Sequence, residues 1–249
     1  MESSLASVGV LALLGLGVVF GLKHATEVDH VVAVSTIVSE HRSVFRSALV
    51  GGLWGVGHTA SLLVVGVVLL VFRAAIPAPV TRWLEFGVAL MIIALGVLAM
   101  VRLLRRRADV HLHEHAHDGQ RHVHVHFHEV TNRHGHGQAH SSAHTHAVST
   151  IGVKPVLVGT MHGLAGSGAL TLLVLTQIES VWLGVLYLGV FGLGSIVGML
   201  LMSALIGFPF ALSSRNLSGL HHRLQAAAAG LSIAFGLWYA YQTGFVSGF

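Results

Sequence analysis

Apolar residues along this chain come in six long runs separated by short polar stretches. The runs cover residues 5–38, 44–72, 81–103, 151–178, 181–207 and 223–246. A helix needs about 20 mostly apolar residues to cross a bilayer, so each run predicts one membrane-spanning helix. The first run is too long for one straight span at about 1.5 Å per residue. We expect it to kink or unwind near residues 21–24, or to extend beyond the membrane. The pattern predicts an all-α polytopic membrane protein with six transmembrane helices.

The composition supports a membrane protein. The 249 residues are 53% hydrophobic and 10% charged, whereas soluble domains carry about 25% charged residues. Cysteine is absent, which excludes disulfides and thiolate metal ligation. Residues 1–22 contain no Lys or Arg, and a secretory signal needs a basic start, so we expect this run to be a retained first span. The lipid bilayer is the expected environment. The net charge is +4, and because the basic residues cluster between the apolar runs they indicate membrane orientation and not nucleic-acid binding.

Basic residues between the apolar runs predict the orientation. Those on one side of the membrane are Arg42, Arg46, Arg102, Arg105, Arg106, Arg107, Arg215 and Arg223. The opposite side has only Arg73 and Arg82. Because basic loops stay in the cytoplasm, we expect a protein of the cytoplasmic (inner) membrane with both termini outside and the 104–150 loop inside.

The 104–150 loop is rich in histidine. Thirteen of the 20 histidines lie between His111 and His146, many alternating with other residues. Such tracts are typical of metal-binding, mostly disordered segments, and the alternation could let part of the loop form a strand when metal is bound. A low-complexity insert without a task is the alternative. The predicted accessory ligands are His111, His113, His115, His117, His122, His124, His126 and His128.

The two halves of the chain echo each other. Three features recur in the same order at a nearly constant offset: the motifs ending at His24 and His162, the motifs ending at His58 and Ser195, and the glycines Gly96 and Gly236. Two halves of three spans each must run in opposite directions because three is odd, which describes an inverted-topology repeat. The predicted domains are a first three-helix repeat (1–103), the His-rich cytoplasmic loop (104–150) and a second three-helix repeat (151–249).

Histidines at matched depth suggest a metal site. His24, His58 and His162 each fall near the middle of a predicted span, and so does Ser195. Transporters with inverted repeats bind their substrate where such midplane groups converge, although a lone histidine in a membrane helix often only hydrogen-bonds a neighbouring helix. Neutral imidazole suits nickel, cobalt, zinc and copper, whereas magnesium and calcium prefer oxygen ligands.

The segment around His24 carries most of the ionisable groups. On a regular helix His24 and His30 would point about 120° apart, and Asp29 about 140° from His24. Either the backbone unwinds between Lys23 and Asp29, or some of these side chains orient the others. Glu27 is a candidate ligand, orienting group or proton relay. Lys23 and Ser195 are candidates for orienting or relay roles, and Lys23 could neutralise a neighbouring carboxylate or snorkel.

The sequence from His24 to His30 matches the His-x4-Asp-His signature of the nickel/cobalt transporter family. Gly57-His58-Thr59 resembles the Gly-His-Ser/Thr element in that family's next helix. Six spans around a His-rich loop resemble the broader superfamily that includes nickel/cobalt efflux permeases and urease-associated membrane proteins. The resemblance implies that His24, Asp29, His30 and His58 are required for transport. Residues 161–168 depart from the Asp/Thr-rich motifs of eight-span members, which leaves open whether His162 replaces a family ligand.

These features favour a secondary transporter of divalent transition-metal ions. We expect Ni²⁺, or Co²⁺ and less readily Zn²⁺, to pass a midplane His/Asp site by alternating access, with uptake slightly favoured. Export coupled to protons, carried by His30, Asp29 or Glu27, is the alternative. The only lysines, Lys23 and Lys154, lie outside any nucleotide-binding motif.

Other classes are less well supported. A metal sensor or accessory protein without transport is one alternative, and an integral-membrane metalloenzyme is another. We expect no enzyme and no resident cofactor, because His-Glu-x-x-His is absent and His221-His222 is the one adjacent histidine pair. His41, His221 and His222 are interpreted as solvated residues at helix ends. A homo-oligomer and a cytoplasmic metallochaperone are further partners that the pattern allows.

Overall fold

Seven helices and one two-stranded hairpin make up the computed structural model, which describes residues 2–73, 76–108, 111–117, 120–126, 150–165, 178, 180–216 and 218–246. The helices are α1 (Glu2–His24), α2 (Val28–Val38), α3 (Val44–Phe72), α4 (Ala78–Ala108), α5 (Thr150–Ala165), α6 (Val181–Asn216) and α7 (Ser218–Tyr241). A π-helical turn, Gln242–Val246, continues α7. The strands are β1 (His111–His117) and β2 (Gln120–His126).

Among the described residues, three helices are long and apolar enough to cross a membrane. By length and composition these are α3, α4 and α6, and the bent pair formed by α1 and α2 makes a fourth if it is one span. Large apolar side chains cover the outer surface, among them Phe72 and Trp182, which are 74% and 84% exposed. Water would disfavour such a surface, whereas lipid accommodates it. The prediction of a helical membrane protein is therefore confirmed, while the count of six spans stays a prediction.

The first apolar run is broken, as its length predicted, just after residues 21–24 and within the stretch from Lys23 to Asp29 where unwinding was the alternative expected from the ligand directions. The break comes after His24, at residues 25–27, and α1 and α2 meet there at 54°. The backbone N–H groups of Thr26 and Glu27 donate to the carbonyls of Lys23 and His24 at 2.9 and 3.0 Å. The Thr26 hydroxyl also donates to the Lys23 carbonyl at 2.6 Å. These bonds keep the backbone satisfied internally, which membrane depth requires.

Helix α6 packs closely on α1, and α5 packs in the same way on α3. A Cβ added at Gly21 of α1 would overlap the carbonyl oxygen of Phe191 on α6. A Cβ added at Gly159 of α5 would overlap the carbonyl oxygen of Trp54 on α3. Only glycine permits backbones to approach this closely. These contacts draw α1, α3, α5 and α6 together around the interior of the bundle.

Polar contacts from α2 and from the two residues after it hold this segment against α4 and α7. The hydroxyls of Thr36 and Ser232 are hydrogen-bonded to each other. The Gln225 side-chain amide donates to the Ser39 carbonyl at 2.9 Å. The Arg102 guanidinium donates to the Glu40 carboxylate at 2.8 Å. Polar side chains that hydrogen-bond across membrane helices contribute to their association. The short helix after the break is thus fixed in orientation, and with it the residues in its first turn.

Part of the His-rich loop forms an antiparallel hairpin. Its backbone register pairs His111 with His126, His113 with His124 and His115 with His122. The alternation of histidines allowed for such a strand, and the hairpin adds a small β element to the all-α architecture expected for the membrane part. Residues 127–149, which include His128, lie outside the described residues, as do residues 166–177 of the fourth apolar run.

Candidate metal centre

Four histidines and one aspartate meet in the interior of the bundle. His24 ends α1, His30 lies in the first turn of α2, and His58 and His162 lie on α3 and α5. The four residues are 4%, 1%, 0% and 0% exposed, in that order. The imidazole rings of His30 and His162 are 4.2 Å apart between centroids, and those of His24 and His30 are 4.6 Å apart. The structure therefore brings together all five residues predicted as ligands, the fifth being Asp29.

One group of ligand atoms centres on the contact between α1 and α3. The Nε2 atoms of His24 and His58 are 2.9 Å apart, and His30 completes a set whose ligand atoms all lie within 4.8 Å of one another. All three residues are buried. This group offers three imidazole nitrogens, a donor set that suits first-row divalent ions.

A second group is organised by the carboxylate of Asp29. One oxygen, Oδ1, accepts the backbone N–H of His30 at 2.9 Å and lies 3.0 Å from its Nδ1. The other oxygen, Oδ2, lies 2.8 Å from Nε2 of His162. The ligand atoms of Asp29, His30 and His162 again lie within 4.8 Å of one another. This group offers two imidazoles and one carboxylate, also suited to a divalent transition metal.

Several nitrogens of the cluster have no hydrogen-bond partner. Within the part of the chain that the structure describes, they are Nε2 of His30, Nδ1 of His58 and Nδ1 of His162. A buried polar atom without a partner costs about 1–3 kcal/mol. Unpaired polar atoms on three neighbouring rings are unusual in a folded interior and fit a site that takes up a ligand.

The remaining predicted residues lie around this cluster. The Glu27 carboxylate is 3.1 Å from Nδ1 of His24 and 36% exposed, so it is placed to orient that ring. The Lys23 side chain is exposed and forms no ion pair with Glu27 or Asp29 among the residues described. Ser195 lies on α6 beside Gly21, with its hydroxyl buried and unpartnered in the described structure.

Two aromatic residues that sequence reasoning missed form walls of the cluster. The ring of Trp54 is 5.4 Å from both His30 and His162, and the ring of Phe191 is 5.5 Å from His24. Trp54 precedes His58 by four residues, and Phe191 precedes Ser195 by four. Both aromatic residues thus lie one helical turn before a midspan polar residue, and they are separated by the repeat offset. This shared placement was the signal that could have found them.

The interpretation of His221 as a solvated residue is wrong. It lies within α7, is 6% exposed, and its Nδ1 is 3.3 Å from the Ser213 hydroxyl. The helix begins at Ser218, ahead of the apolar run that starts at residue 223, so His221 lies within the helix and not in a loop before it. It packs against Ser213 and Phe210 of α6, and neither ligand group found among the described residues includes it.

A comparison with curated proteins identifies the family. The urease accessory protein UreH of Bacillus sp. (strain TB-90) is 36% identical over 248 residues, which cover 97% of this chain and 96% of the relative. This chain belongs to the UreH family. The kinship confirms the urease-associated part of the resemblance, and a family of accessory proteins confirms the prediction that the chain is not an enzyme. No family model and no solved structure matches this UreH homologue.

Proposed function

We propose that this UreH homologue carries a divalent transition-metal ion, Ni²⁺ before Co²⁺, across the cytoplasmic membrane through the buried His/Asp cluster. The observation that carries the proposal is the meeting of five ligand residues from four helices in the bundle interior. Ionisable groups at membrane depth are costly, and those that occur there usually line a substrate pathway. A helix that only spanned the bilayer would not need them.

The donor set and the relative's name together favour nickel. The two ligand groups contain imidazole and carboxylate and no sulfur, which disfavours copper(I). Zinc would accept the same ligands. The related protein is named a urease accessory protein, and urease depends on nickel, so delivery of this ion fits the kinship best. Supply of an enzyme's metal also favours uptake over export.

Reciprocal helix contacts support two inverted repeats. Gly21 meets Phe191, while Gly159 meets Trp54. The separation of the two glycines along the chain nearly equals that of the two aromatic residues, so one contact occurs twice with the halves exchanged. A two-fold relation between residues 1–103 and 151–249 would produce this exchange.

The same exchange occurs between α4 and α7. A Cβ at Gly96 would lie 2.8 Å from the carbonyl oxygen of Ala229, and a Cβ at Gly236 would lie 3.1 Å from that of Ala89. The separation of Ala89 and Ala229 along the chain equals that of the two glycines. Rocking of one repeat against the other around the cluster would then expose the ion to each side in turn.

The membrane potential would drive uptake without a nucleotide. A divalent cation gains about 4.6 kcal/mol per 100 mV on entering a cell, twice the value for one charge. The His-rich loop, which the distribution of basic residues predicts on the cytoplasmic side, would collect the delivered ions. A cytoplasmic metallochaperone would then receive them. In this arrangement the loop assists transport and the buried cluster performs it.

Flux measurements test the proposal. The purified protein is reconstituted in vesicles, and Ni²⁺ entry is followed under an imposed potential, negative inside. We expect flux in the wild type and in His222→Ala, which removes an imidazole outside the cluster, and less than about a tenth of it in His58→Ala. Flux that survives His58→Ala, or that requires an opposing proton gradient, would contradict the proposed path or the proposed direction.

A further inference from the structure

The two ligand groups of the cluster share one residue, His30. Resting on the proposed function, we infer that the ion occupies two successive positions in the cluster and passes between them with His30 as the common ligand. The first position is formed by His24, His58 and His30. The second is formed by Asp29, His162 and His30.

The distances separate the two positions. His58 and His162 have ring centroids 5.8 Å apart, the widest of the histidine pairs in contact within the cluster. Among the described residues the sets whose ligand atoms all lie within 4.8 Å are the two triplets, and no set of four meets that limit. A single ion in this arrangement therefore has three protein ligands at a time.

The two nitrogens of His30 suit a shared ligand. Its Nδ1 lies 3.0 Å from Asp29, on the side of the second position. Its Nε2 is buried and has no hydrogen-bond partner in the described structure, so it is available to the pair formed by His24 and His58. One ring can thus hold the ion on either side without leaving its place between them.

The repeat relates the two positions to the two halves of the protein. His24 and His162 are counterparts at the repeat offset, and each contacts an aromatic counterpart. The ring of Phe191 is 5.5 Å from His24, and the ring of Trp54 is 5.4 Å from His162. All three ligands of the first position thus come from the first repeat, whereas the second position adds His162 from the second repeat. Passage across His30 brings the ion from ligands of the first repeat alone to a position that both repeats form.

The positions differ in charge. The first has three neutral imidazoles, whereas the second includes the carboxylate of Asp29. Added ligand charge strengthens the binding of a divalent cation, so the ion rests at the second position in the wild-type protein. The first position is then the weaker of the two binding positions.

The test measures Ni²⁺ binding and its ligands in the full-length protein in lipid nanodiscs, with the thirteen loop histidines replaced by asparagine. Bound nickel is counted by metal analysis, and X-ray absorption gives the number of imidazole ligands. His58→Ala removes only the first position, His162→Ala only the second, and His30→Ala weakens both. Folding is checked by size exclusion and melting, and each variant is repeated as His→Asn.

We expect one bound ion in the loop-substituted protein and in each of the variants His58→Ala and His162→Ala. The absorption spectrum should show two imidazoles in His58→Ala and three in His162→Ala. Affinity should fall less than about tenfold in His58→Ala, since the ion rests at the other position, and more than 100-fold in the double variant. A single site would instead give an equal, near-complete loss of Ni²⁺ binding in both single variants, or the same imidazole count in both. Either result overturns the inference of two positions but leaves the proposed function standing. Failure of the loop-substituted protein to bind Ni²⁺ would overturn the proposed function as well.

Discussion

Substitution of Gly96 by alanine should force α4 and α7 apart. The added Cβ would lie 2.8 Å from the Ala229 carbonyl oxygen and 2.9 Å from a side-chain carbon of Ile233. That is roughly 0.7 Å less than the ~3.5 Å at which such atoms pack. Overpacking of this kind costs about 1–3 kcal/mol. For a chain of this size, about 2–4 °C of melting temperature corresponds to each kcal/mol, so the midpoint should fall by roughly 2–12 °C.

Thermal unfolding in detergent, followed by tryptophan fluorescence, measures this shift. Gly87→Ala and Gly230→Ala are matched controls because they lie on the same two helices with no atom within 4 Å of the added Cβ. Those variants should melt at or slightly above the wild-type midpoint, since alanine favours a helix by about 1 kcal/mol over glycine. Gly236→Ala, the counterpart in the second repeat, should match Gly96→Ala. The reasoning is refuted if Gly96→Ala melts with the controls.

Three further predictions follow from the cluster, the loop and the end of α2. Asp29→Asn should weaken Ni²⁺ binding about 10–100-fold in titration calorimetry, because it removes a ligand charge and a charge-assisted hydrogen bond. The control Glu40→Gln should change the affinity less than about threefold. Equal effects of the two substitutions would contradict the assignment of Asp29 as a ligand. Deletion of residues 108–148 should preserve vesicle Ni²⁺ flux but lower the number of nickel ions bound per chain, and loss of flux would make the loop part of the path. Burial lowers the pKa of His41, an effect that Glu40 opposes and Arg46 reinforces. The stability that neutral His41 contributes is therefore complete above the unfolded pKa of about 6.5. It falls as the pH drops through that value. His41→Gln should therefore lose less melting temperature between pH 7 and pH 5 than the wild type, and an equal or larger loss would reverse that sign.

Much of the cluster could be predicted from short sequence motifs. The sequence from His24 to His30 placed three ionisable ligands within one apolar run, and this arrangement is rare without a function. His58 followed from its own midspan position, and His162 from the repeat offset. In each case a polar residue in an apolar run was informative because the bilayer makes such a residue expensive.

The position of the helix break could not be predicted as well. Residues 25–27 contain no proline or glycine, the usual causes of a kink, so the length of the run directed attention to residues 21–24, and only the directions of the ligand side chains indicated unwinding between Lys23 and Asp29. The break is stabilised by the Thr26 hydroxyl on the Lys23 carbonyl and by packing of α2 on α4 and α7, which is tertiary information. Without the 54° bend, His24 and His30 would point in different directions.

The aromatic walls were missed for a different reason. Trp54 and Phe191 are ordinary apolar residues in apolar runs, and nothing in their type distinguishes them from residues that face lipid. Their role depends on which face of α3 and α6 turns inward. That face is set by the close contacts at Gly159 and Gly21, between segments far apart in sequence.

The location of the bound ion is the most direct test of the central claim. Anomalous diffraction at the nickel edge, from crystals of the protein grown with Ni²⁺, would show where the ion sits. The account predicts a peak within coordination distance of His30, in the interior where α1, α2, α3 and α5 meet. Nickel peaks confined to the His-rich loop, with none beside His30, would contradict it.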